Sequence, residues 1–296
     1  MLHPSRKNRL VGAQTLPFQA IGAMLLASIL ALLVVFAAVA QARESSRHEA
    51  LIKALDLDSL IEIMRAEGVD YGAGLQDELF PGRGGASWRA QVELIYRPER
   101  LWSIFGPRFE AELDGHDTAP ALAFFTSDLG RRVITLEISA RRAQLDKAVE
   151  DMAVGRMQQM RDDNDPRIDL VGQMIDANDL IDLNVVGALN SNFAFYRGLA
   201  QGNAFPEDMS EDQMLRDVWA QEDEVRADTE KWLYGYLVMA YQPLSDDELR
   251  RYIAFSRSKA GQVINTALFN AFDAMFDDVS FALGQAAAQQ ITGEEL

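Results

Sequence analysis

The sequence predicts an all-α protein, a multi-helix bundle built from two related helical halves. Three observations carry this. Past position 43, apolar residues recur at helical spacing almost throughout, and no stretch alternates as a strand would. Two capping boxes, Ser210 with Gln213 and Ser245 with Glu248, mark helix starts. The chain also echoes itself after 131 positions. Across residues 123–146, Ala123, Phe124, Ser127, Gly130, Thr135, Ala140, Ala143 and Asp146 each fall on an identical residue. Chance agreement is about one position in sixteen, so the matches point to internal duplication.

Taken in order, a first helix is expected from about Ser46 to Glu67, with Leu51, Leu55, Leu60 and Met64 on one side and Gly68 at its end. A looser stretch from Gly72 to Gly85 contains the strongest turn signal, Phe80-Pro81-Gly82-Arg83-Gly84-Gly85. Helix resumes at Ser87, is punctuated by Pro98 and Gly106-Pro107, and ends in the turn Asp114-Gly115-His116-Asp117. Thr118 and Pro120 open a short helix into Ser127. From Ser127 to about Met160, Leu129, Val133, Leu136, Ala140 and Ala143 form a narrow seam for one neighbouring helix. Asp162-Asp163-Asn164-Asp165-Pro166 breaks it, with Asp165 as N-cap and Pro166 as first helical residue. The next segment carries Val171, Ile175, Val185, Val186, Leu189, Phe193 and Tyr196 and is closed by Gly202 and Pro206. The last helix has so wide an apolar face, from Val263 to Val279, that it must be buried on more than one side.

The first 42 residues stand apart. Arg6, Lys7 and Arg9 precede an uncharged run from Leu10 to Ala42 that ends in the small residues Ala37, Ala38, Val39, Ala40, Gln41 and Ala42. This is the pattern of a secretory signal peptide, with Ala38-Val39-Ala40 and Ala40-Gln41-Ala42 as rival cleavage sites. The apolar run also nears the ~20 residues that span a bilayer, so an N-terminal membrane anchor over residues 18–40 is the other reading. Either way the basic residues stay inside and the remainder crosses the membrane, which puts the protein in the periplasm.

The charge sharpens once that segment is set aside. The whole chain has 28 Lys+Arg against 45 Asp+Glu, a net charge of -17. Removing the three basic residues leaves 25 against 45, or -20, and only His48 and His116 among histidines. Such a balance argues against nucleic acid and against anionic lipid surfaces. The absence of cysteine excludes disulfides, a thiol nucleophile, iron–sulfur clusters and Cys-type zinc sites. At 48% hydrophobic and 25% charged, the chain is too apolar to be disordered.

The element shared by the two echoing segments reads Phe-x-x-Ser-x-x-Gly, at Phe124-Ser127-Gly130 and Phe255-Ser258-Gly261. One helix ends on a buried Phe, the Ser caps the next, and a Gly in that helix's first turn permits close approach. Neither Ser127 nor Ser258 has a His base nearby in sequence, and the Lys259 that follows Ser258 opens the helix which that serine caps, so both read as corners instead of nucleophiles. Residues 254–264, preceded by Leu244-Ser245-Asp246-Asp247-Glu248-Leu249, resemble the core motif of a bacterial exported family, domain of unknown function 2059. The resemblance covers residues 244–280, with the weaker echo at 118–146. It implies an exported helical protein and no activity, since none is assigned to the family.

Candidate chemistry is sparse. Asp176, Asp179 and Asp182 recur every three residues, yet Asp162 to Arg167 lacks the Gly and distal Glu of a calcium loop, so an acidic solvated face is expected. Glu137 beside the apolar seam is the one candidate general acid, with Arg141 four residues on as its expected intrahelical partner. His48-Glu49 lacks the second His of a zinc-protease helix, and His116 sits in a polar turn. Trp88, Trp102, Trp219 and Trp232, with Tyr96, Tyr234, Tyr236 and Tyr241, raise a sugar-stacking groove, but Trp232, Tyr236 and Met239 share a helical stripe and read as core.

The expected organisation is therefore residues 1–42 as signal or anchor, 43–165 as the first helical half and 166–296 as the second, the two halves packed as one domain. No residue is assigned to catalysis, a cofactor or a metal. The expected role is non-catalytic binding or envelope interaction, the acidic faces meeting another envelope protein. The alternative is a periplasmic hydrolase acting on cell-wall glycan or peptide through carboxylates. A deep cleft with two carboxylates, one of them Glu137, would favour the hydrolase, and a convex surface with an exposed apolar patch would favour the interaction protein.

Overall fold

The computed structural model describes residues 46–205 and 209–293. The candidate export segment, and Pro206, lie outside them. The described residues form helices α1 (46–54), α2 (Leu57–Leu79), α3 (Gly85–Ile95), α4 (Pro98–Leu113), α5 (Ala119–Phe125), α6 (Asp128–Ala143), α7 (Lys147–Asp162), α8 (Arg167–Ala177), α9 (Leu180–Gln201), α10 (Glu211–Trp219), α11 (Glu222–Tyr241), α12 (Asp246–Ser256) and α13 (Lys259–Thr292), with no strand among them. No helix among the described residues is long and apolar enough to cross a membrane.

The 34-residue α13 is the axis of the molecule. Ile264, Ala267, Ala271, Met275, Val279 and Leu283, three or four residues apart, are all buried along it. One flank meets α4, where Phe272 lies against Phe105 at 4.6 Å between ring centroids. The other flank meets α9, so the wide apolar face is covered from two sides. Positions 187, 198 and 202 of α9 face 273, 284 and 288 of α13, a constant offset of 86, so the two helices run parallel and in register. At the tightest point backbone touches backbone. A Cβ on Gly198 would lie 2.2 Å from the Phe281 carbonyl oxygen, and one on Gly284 would lie 2.2 Å from that of Phe195.

Two larger cores flank this pair. The first gathers α1 to α5 against α13, with Trp88, Phe80, Leu101, Phe105 and Phe109 fully enclosed. The second is formed by α6, α7, α8, α11 and α12 around Val171, Met174, Leu237, Leu249 and Ile253. The two Phe-x-x-Ser-x-x-Gly corners share one geometry. Ser127 accepts from the Gly130 amide and Ser258 from the Gly261 amide, 3.1 Å each. What presses on each glycine is the last turn of the preceding helix: a Cβ would meet the Phe124 carbonyl oxygen at 2.1 Å in one corner and that of Phe255 at 2.3 Å in the other. Phe124 and Phe255 stack face to face, 3.8 Å between centroids and 3° between planes. Beyond the corners, α4 packs on α13 and α11 packs on α6.

Several expected boundaries move. The first helix breaks at Asp56, whose φ of 49° is left-handed, and α2 then runs through Gly68 to Leu79. Gly68 does not end a helix; it leaves room for the Tyr96 ring, which a Cβ would overlap at 2.0 Å. Pro107 sits inside α4 without ending it, and Gly85 instead of Ser87 begins α3. The seam from Ser127 to Met160 is two helices, because Asp146 caps α7 by accepting from the Ala148 amide at 2.9 Å. The segment after Pro166 is also two, broken at Asp179 with φ 51°. Asp and Asn tolerate left-handed backbone, and this is the property that ends both runs without glycine or proline. The capping boxes at Ser210 and Ser245 form as read.

Close packing at Gly284 and open space at Gly155, where a Cβ meets nothing within 4 Å, make opposite demands. Gly284→Ala is expected to lower the unfolding free energy by ~1–3 kcal/mol, as overpacking does. Gly155→Ala, exposed in α7, is expected to raise it by ~0.5–1 kcal/mol through helix propensity. Urea unfolding of the two variants beside the parent protein reads both signs.

Candidate functional site

Between the two cores lies a cavity of about 690 Å³, walled by α2, α6, α8, α9, α11, α12 and α13, with residues of the paired corners also in its lining. Its walls follow from helical spacing. Leu180, Leu183, Asn184, Gly187, Ala188 and Ser191 are one face of α9, and Ile264, Leu268, Phe272 and Phe276 one face of α13. Trp232, Leu233, Tyr236 and Leu237 come from α11, Phe125 and Phe255 from the corners, and Met64 from α2. Tyr71, 54% exposed, stands at the rim. The size and the largely apolar, aromatic lining are those of a small-molecule site.

Four charged residues reach the cavity: Glu67, Glu137, Arg141 and Asp273. Two of them cancel. Arg141 grips Glu67 in a two-pronged pair, Nε to Oε1 at 2.7 Å and an Nη to Oε2 at 2.8 Å, and its guanidinium lies 4.6 Å from the centre of the Trp232 ring. Such fork geometry on an aromatic face is what arginine supplies and lysine does not.

Glu137 and Asp273 have no such compensation: among the described residues neither forms an ion pair. The hydroxyls of Tyr241 and Tyr252 both donate to Glu137 Oε1, at 2.7 and 3.1 Å, while Tyr236 donates to the Glu137 carbonyl oxygen at 3.1 Å. Tyr241 is held in turn by Arg167, the first residue of α8, which donates to the Tyr241 and Leu244 carbonyl oxygens at 2.6 Å each. Burial raises the Glu137 carboxyl to about 7, against which the two tyrosine hydrogen bonds pull down. Burial, and next the Glu137 charge, hold Tyr241 and Tyr252 well above their ordinary range, so both remain neutral donors. Asp273 is raised to about 6, by burial first and then by Asp277.

The expected Glu137–Arg141 pair is thus not formed. The two side chains diverge by one helical turn, Arg141 towards α2 and Glu137 towards α11 and α12. All of Glu137's side-chain partners lie more than a hundred residues away, beyond the reach of any i,i+4 rule. Trp232 and Tyr236 are a cavity wall as well as a core stripe, and they stack on each other at 5.2 Å. Trp88 is enclosed and donates to the Gly72 carbonyl oxygen at 2.7 Å, whereas Trp219 is exposed. Ser127 and Ser258 serve as helix caps. His48 is buried and His116 exposed. Asp176, Asp179 and Asp182 are exposed and split between α8, the break and α9, with Asp182 paired to Arg226. Among the described residues no three His, Asp or Glu side chains are placed to hold a metal. The cavity holds more than one carboxylate, Glu137 among them, which is the arrangement named above as favouring a hydrolase.

No protein-family model matches the chain, and no curated protein or solved structure matches it either.

The Glu137 carboxyl makes stability depend on pH. Its folded value lies above the ordinary 4.5, so its contribution is complete below about pH 4.5 and is lost as pH rises through 7. The unfolding free energy of the parent protein minus that of Glu137→Gln is expected to fall by about 3 kcal/mol across that window. Urea unfolding at half-unit pH steps measures it.

Proposed function

We propose that the protein binds, without transforming it, a small and largely apolar molecule in the cavity between its two cores. The observation that carries this is the cavity itself: aromatic and aliphatic walls interrupted by a small number of polar and charged groups, which orient a ligand that the walls retain. The basic start, apolar run and small-residue exit of residues 1–42 support export to the periplasm. The shared cap geometry of the corners, the Phe124–Phe255 stack and the exchanged packing of α4 on α13 and α11 on α6 support descent of residues 43–165 and 166–296 from one duplicated unit. The sequence resemblance to the exported helical family agrees with both. Another envelope protein remains the partner that the acidic outer faces suit, and Leu215 with Trp219, one turn apart on α10, gives it an exposed apolar pair, but the cavity is the better defined site.

A hydrolase is the second reading, favoured by the raised Glu137 carboxyl, as a general acid requires, in a cavity that also holds Asp273. Against it stands the lining. Glycan strands are polar, whereas most of this wall offers them no hydrogen bonds.

Titration with the neutral fluorophore N-phenyl-1-naphthylamine tests the binding reading. Saturable enhancement is expected for the parent protein and its loss for Ala188→Trp, whose indole fills the cavity, with thermal unfolding confirming that the variant is folded. Undiminished enhancement in a folded Ala188→Trp would place the dye elsewhere. Incubation with purified cell wall is expected to release no soluble fragments; release that Glu137→Gln abolishes would establish the hydrolase instead.

A further inference from the structure

Charge in the cavity is unbalanced in one direction. Glu67 and Arg141 neutralise each other at hydrogen-bond distance, and among the described residues no other cation lines the wall. Glu137 and Asp273 are left over. The two tyrosine hydroxyls converge on Oε1 of Glu137, and Oε2 takes no hydrogen bond from the described residues. Tyr252 and Phe255 stand close by on α12, Tyr236 and Tyr241 on α11. A carboxylate with one unoccupied oxygen amid aromatic rings is matched by a positive donor, which gains both the charge-assisted hydrogen bond and attraction to the ring faces.

Resting on the cavity-binding reading, we infer that the ligand carries an organic ammonium head seated on the Glu137 carboxyl, with its apolar body along the faces of α9 and α13 that line the cavity. An anionic head, such as that of a fatty acid, meets two uncompensated carboxyls and no free cation. A neutral head gains no charge pairing.

The inference also fixes a pH response. The titratable or charged groups around Glu137 are Tyr236 and Tyr241 of α11, Tyr252 of α12, and on its own helix Arg141, already engaged by Glu67 of α2; Asp273 of α13, raised to about 6, lines the same cavity and ionises at lower pH than Glu137. None of these competes for its proton near neutrality, so ammonium binding drives Glu137 to its ionised form and strengthens as pH rises from 6 to 8.

Chain-matched decylamine, decanol and decanoate, each displacing N-phenyl-1-naphthylamine, test this. In the parent protein at pH 7.5, decylamine is expected to bind about tenfold more tightly than decanol, with decanoate weakest. The amine's advantage is expected to disappear in Glu137→Gln and to grow between pH 6 and 8. Displacement by all three with decanol equal to decylamine, or decanoate the tightest, would overturn the ammonium head and leave the cavity reading standing. An amine advantage that survives in a folded Glu137→Gln would likewise overturn it. Failure of the dye itself to bind would remove the cavity reading and this inference together. Should Glu137→Gln not fold, the pH series on the parent protein decides, since an amine advantage that is flat or falls with pH contradicts the inference.

Discussion

The contact of α9 with α13 at Gly198 and Gly284 sets the rest of the structure. At that point there is no side-chain layer between the two backbones, and the parallel register it fixes holds from Gly187–Asp273 to Gly202–Ala288. Parallel neighbours cannot be joined by a short loop. The chain between them must travel the length of the pair and return, and α10, α11 and α12 do this. Those three helices carry Trp232, Tyr236, Tyr241 and Tyr252, so the constraint that brings two backbones together also delivers the aromatic wall of the cavity.

Within that frame the polar groups divide into those that hold and those that are left open. Arg167 and the Glu67–Arg141 fork tie helices together and are satisfied by protein. Glu137 is only half satisfied. A buried carboxyl without a counter-charge costs free energy that an apolar residue in the same place would not. Here it stands at the wall of the cavity between the two cores. The raised proton affinity is the physical expression of that cost, because burial disfavours the charged form of the carboxyl.

Legibility in the sequence followed the range of the interactions. Features decided within four residues were readable: the capping boxes at Ser210 and Ser245, the serine-capped corners and the Phe80–Gly85 turn. Helix breaks at Asp56 and Asp179 were not, since left-handed aspartates resemble any other aspartate within a helical pattern. Gly68 misled for a related reason. Glycine reads as a terminator locally, but its role depends on Tyr96, 28 residues on. Glu137 stands out in the sequence as an acid beside an apolar seam, but local spacing offers it Arg141 as a partner while the fold supplies two tyrosines from beyond residue 240. The cavity itself, assembled from helices far apart in sequence, has no local signal. What hinted at it was a surplus: aromatic residues on α11 and an acid on α6 more than a plain helical core needs.

Glu137 is a buried carboxyl without a counter-charge at the wall of a largely apolar cavity. Its carboxyl carbon can be followed directly by NMR with carbon-13 glutamate, the resonance being assigned by its absence in Glu137→Gln. The account requires a titration midpoint near pH 7 in the ligand-free protein, displaced downward by bound decylamine. A midpoint near 4.5, unmoved by the amine, would mean that Glu137 is an ordinary solvated acid and would contradict the account at its base.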